Sequence, residues 1–76
     1  MSHKVNLTYF KPSGKYYTDG TYQSNCEDLD QIWHEVERFR MNGKLPGLAP
    51  NCGQDFTILV DVLDHPHSHP RLIVPR

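Results

Sequence analysis

The chain has 76 residues, of which 37% are hydrophobic and 22% charged, with a formal net charge of −1. That length admits a single domain, and the apolar share lies above that of disordered chains. Eight basic residues against nine acids disfavour non-specific nucleic-acid binding, and no apolar run approaches the roughly 20 residues of a membrane-spanning helix.

The opening MSHKVNLTYF has no apolar stretch after its charge, so no signal peptide is expected. Within it, residues 5–10 alternate: Val5, Leu7 and Tyr9 point one way, and Asn6, Thr8 and Phe10 the other. This is the pattern of a half-buried strand. Lys11-Pro12-Ser13-Gly14-Lys15 reads as a turn, because Pro12 presets φ and Gly14 permits a positive one. Residues 15–23, rich in Tyr and Thr, form the return strand. Gly20 inside it marks a bulge or a close backbone approach.

Residues 27–41 read as the only helix. Ser24 or Asn25 is the expected N-cap, with Glu27 or Asp28 in capping-box spacing. Leu29, Ile32, Trp33, Val36 and Phe39 make one apolar face, with Trp33 as the expected main anchor. Gly43, after Asn42, suits the position just past the helix end. Residues 44–55 carry two Pro and two Gly and read as a loop. Residues 56–63, FTILVDVL, read as a central strand, and residues 71–74, RLIV, as a short edge strand between prolines.

The order predicts an α+β fold, β-β-α-β-β, with one helix on a four-stranded, mostly antiparallel sheet. If the strands flanking the helix point the same way, the helix start and the histidine-rich segment after strand three meet at one end of the sheet. If they are antiparallel, that convergence is lost. One helix covers one sheet face, which leaves Phe10, Tyr17, Leu59 and Leu63 as candidates for an uncovered face. Such a patch points to an interface, with a protein partner or with a second copy as a homodimer.

Asp64-His65-Pro66-His67-Ser68-His69-Pro70 sets three imidazoles at i, i+2 and i+4. In extended backbone, which the prolines favour, they project to one side. His65, His67 and His69 are therefore candidate ligands for zinc, nickel or copper, with Cys26 or Asp64 to complete the set. A stiff exposed loop is the structural alternative. Cys26 and Cys52 are expected as free thiols, since a reducing cytosol opposes a disulfide between them. Asp30 and His34, one helical turn apart, read as a solvated polar face. No phosphate loop, nucleophile elbow or HExxH motif is present, which weighs against an enzyme.

The stretches LTYFKPSGKYYTDGTY, IWHEVERFRMNGKLPGL and ILVDVLDHPHSHPRLIVP cover most of the chain. Together they resemble small accessory proteins of bacteriophages and prophages. The resemblance transfers no catalytic residues. It implies a non-enzymatic protein that binds and inhibits a host component, of the anti-CRISPR and anti-defence type, in the host cytoplasm.

Overall fold

The computed structural model describes residues 2–65 and 69–75. The elements are β1 (His3–Phe10), β2 (Tyr16–Ser24), α1 (Leu29–Met41), β3 (Thr57–Val62) and β4 (Arg71–Ile73). They form an α+β fold with one four-stranded sheet in the order β2-β1-β3-β4. Every neighbouring pair is antiparallel. Because β1 opposes both β2 and β3, those two strands point the same way. Their carboxyl ends meet beside the start of β1, where His3 faces Ser24 and Val5 faces both Tyr22 and Val62. The convergence expected from parallel flanking strands therefore occurs, although β1 lies between them.

The period-two pattern assigns the faces. Val5, Leu7 and Tyr9 of β1, with Ile58, Val60 and Val62 of β3, are buried under α1. From the helix, Ile32 and Val36 complete this core. Trp33, expected as the main anchor, is only half-buried and packs at the margin of the core, under the guanidinium of Arg71. Sequence reading also missed Leu45. It sits in the loop yet is 3% exposed, because the chain folds back over the sheet just after the helix.

That fold-back explains Gly20. A Cβ there would stand 2.6 Å from the Pro46 carbonyl oxygen, so the loop crosses β2 at backbone contact. The Tyr9 hydroxyl donates to the same carbonyl. Burial pushes the Tyr9 phenol pKa well above its ordinary value.

The helix ends as expected and begins later than expected. At its end, Gly43 has φ +68°. Its N–H bonds the Arg40 carbonyl at 3.1 Å, and the Lys44 N–H bonds the Phe39 carbonyl at 2.8 Å. This is a Schellman closure. At its start, the cap is Asp28, whose carboxylate accepts from the Asp30 N–H at 3.0 Å. Neither Ser24 nor Asn25 caps the helix. Ser24 is the last residue of β2, 1% exposed, and its hydroxyl accepts from the Cys26 N–H at 3.2 Å. Cys26 consequently lies before the helix and not at its first turn.

Candidate metal centre and the uncovered sheet face

Three chain segments approach one another where β1 begins and β3 ends. The Leu63 N–H extends the β1–β3 pairing by bonding the Lys4 carbonyl at 2.8 Å. The His65 N–H then bonds the Val62 carbonyl at 3.2 Å, closing a turn that carries Asp64 and His65 back toward β1. The result is a group of three donors. His3 Nδ1 lies 3.3 Å from Asp64 Oδ2, and the His3 and His65 rings are tilted at 59° with centroids 4.8 Å apart. Donor atoms of all three residues lie within 4.8 Å of one another. His3 is 9% exposed, whereas Asp64 and His65 face solvent.

This arrangement fits a small divalent transition ion. Donors around a tetrahedral zinc stand about 3.3 Å apart when bonds are about 2.0–2.1 Å long. The His3–Asp64 pair already has that spacing. Three protein donors leave one position to solvent.

The ligand set differs from the one the histidine spacing suggested. The group holds His65 and Asp64. His67 lies outside the described residues. His69 lines a separate hollow beside Trp33 and Arg71 and is not in the group. Cys26 is also elsewhere. Its thiol donates to Glu35 Oε2 at 3.5 Å, beneath Tyr22. Burial and then the nearby Glu35 carboxylate push the Tyr22 phenol pKa up, so it stays protonated there. Neither cysteine forms a disulfide.

His3 was missed because it lies some sixty positions from the histidine-rich segment. Its alternation with Val5 and Leu7 was the available signal, since it places a polar ring on the buried face of β1. Asp30 pairs with Arg71 at 3.5 Å, and His34 is exposed, in keeping with a solvated polar face.

On the side of the sheet away from α1, no helix or loop packs among the described residues. Cross-strand partners define its rows. Thr8 faces Leu59 and Asp19, Leu59 faces Leu72, and Asn6 faces Asp61 and Thr21. Phe10 and Leu59 are half-buried there, and Leu72 and Leu63 are 61% and 44% exposed. Tyr17 does not join Phe10. The β1–β2 register slips so that Tyr9 faces Thr18 and Phe10 faces Tyr16, which leaves Tyr17 as the extra residue of a bulge. Its ring lies 5.2 Å from that of Phe56, a residue packed on the core, while Tyr16 meets Phe10 edge-on at 6.4 Å. Tyr16 thus takes the place expected of Tyr17.

No protein family, curated protein or solved structure matches the chain. No helix is long and apolar enough to cross a membrane among the described residues.

Proposed function

We propose that the protein binds a divalent transition metal, zinc foremost, through His3, Asp64 and His65. The observation that carries this reading is the convergence of the three donors within 4.8 Å, one of them a nearly buried histidine. The ion would join the start of β1 to the β3–β4 connection, so binding should stabilise the fold, with the logarithm of free metal concentration once that exceeds Kd. Elemental analysis of untagged protein, with melting curves before and after chelation, tests it. About one metal per chain and a higher Tm are expected, both lost in His3→Ala and His65→Ala and kept in His69→Ala. Substoichiometric metal and an unchanged Tm would overturn the reading.

A second reading rests on the other face. Phe10, Tyr16, Leu59 and Leu72 form an apolar strip across a sheet side that no helix or loop covers among the described residues. This supports a non-enzymatic binding protein that docks on a host protein, the role implied by the resemblance to phage accessory proteins. A second copy is the alternative occupant, and light scattering separates the two, since a homodimer doubles the 8.8 kDa mass. A host protein retained by the native chain and released by Leu59→Asp/Leu72→Asp would support docking there. Equal retention would rule this face out.

A further inference from the structure

The hollow beside Trp33 and Arg71 lies between the first half of α1 and the β3–β4 corner. It exists because β4 is short. Its pairing with β3 stops at Val60–Arg71, so Val62 has no β4 partner above the sheet. The helix does not close the gap, and a hollow of about 190 Å³ remains. Its apolar walls are Leu29, Ile32, Val60, Val62 and Trp33. Its polar lining is Arg71, His69 and Asp30.

Arg71 is fixed in place there. Its pairing with Val60 puts it on the helix side of the sheet, and its guanidinium lies 3.5 Å from the Trp33 ring centroid. Stacking pre-orders the planar group while leaving its N–H edges available. Among the described residues its ion-pair partner is Asp30, a single contact of 3.5 Å between side chains that are 54% and 73% exposed. That is too long and too wet to saturate five donors. The site therefore combines a small hollow with apolar walls and an oriented fork that the described residues do not saturate. A carboxylate is the planar acceptor that such a fork matches in two-point fashion.

The geometry points to a binding site for an apolar group that ends in a carboxylate, with the body against Leu29 and Trp33 above the buried Ile32, Val60 and Val62, and the carboxylate on Arg71. Two sources share this chemistry: a small free acid, and the C-terminal residue of a peptide. Asp30 is the one negative group at the mouth and competes with the ligand for Arg71. This gives the proposal a sign that a structural role for the Arg71–Asp30 pair does not share.

Trp33 is the only tryptophan in the chain, so its fluorescence reports on this hollow alone. Titrations with 4-methylpentanoate and with its primary amide form the first arm. Titrations with a short peptide ending in free Leu and with the same peptide amidated form the second. Saturable change with the acid, and at least about tenfold weaker binding of the amide, are expected from loss of a charge-assisted contact. The arm with the tighter free acid identifies the source. Arg71→Ala should weaken the acid about tenfold and bring it level with the amide, whereas Asp30→Asn should tighten it. Far-UV circular dichroism checks that both variants keep the fold. Equal affinity for acid and amide, weaker binding in Asp30→Asn, or no saturable change in either arm at millimolar ligand would overturn the proposal.

Discussion

The two faces of the sheet are built from the same strands and differ by one residue in register along each. On the α1 side, Val5, Leu7, Tyr9 and Ile58 are fully buried. On the other side, Asn6, Thr8, Asp61 and Thr57 alternate with Phe10 and Leu59, and none reaches full burial. A strand places successive side chains on opposite faces, so shifting by one residue exchanges core for surface. In a chain of 76 residues, one helix supplies enough apolar surface to close one side only. The candidate sites consequently lie where closure fails among the described residues: on the uncovered face, at the β3–β4 corner, and at the end of the sheet where β1 and β3 meet.

The largest test of this contrast is a pair of leucines. Leu7→Ala, at 0% exposure in the core, should cost about 2–5 kcal/mol in urea denaturation. Leu59→Ala, half-buried on the far side, should cost less than about 1 kcal/mol if that side is truly uncovered. A comparable loss at both positions would mean that something covers the open face in solution, with self-association as the first explanation to examine.

Alkaline pH sharpens the contrast next. Tyr9 and Tyr22 both have phenol pKa values raised by burial on the helix side, from an ordinary 10.0. Below that value both the folded and unfolded chains keep these protons, and stability is unaffected. Above it the unfolded chain releases them first, so stability should fall as pH rises. Each phenol contributes a slope of at most about 1.4 kcal/mol per pH unit. Tyr9→Phe should flatten the fall, because one of the two contributors is gone. An identical slope in the variant would show that Tyr9 ionises as freely in the fold as outside it.

The smallest effect concerns the helix that closes one face. Asp28→Ala removes the side chain that caps the Asp30 N–H and should cost about 1 kcal/mol. Asn25→Ala, at the position read from sequence as an N-cap, should stay within about 0.5 kcal/mol. Reversal of that order would move the helix start back to where the sequence pattern placed it.

The local elements were legible without a structure because each rests on short-range rules. Alternation in VNLTYF, the i, i+3, i+4 stripe from Leu29 to Phe39 and the Asn42-Gly43 stop all act within a few residues. The α+β class and the element order follow from them. The close approach at Gly20 was legible too, since a glycine inside a Tyr/Thr-rich strand otherwise only weakens it. Three features depended on tertiary contact. The bulge at Tyr17 arises from pairing with β1, and it exchanges Tyr16 for Tyr17 on the uncovered face. Ser24 has the chemistry of a cap but is drawn into β2 opposite His3. The candidate donor group changes most. Sequence spacing gathered His65, His67 and His69 along one segment, whereas the described structure joins His65 and Asp64 to His3 on another strand and leaves His69 beside Trp33. Side-chain period and turn chemistry are properties of neighbouring residues and can be read in order. The partner that a turn meets depends on which strand lies beside it, and insertion of β1 between β2 and β3 decided that here.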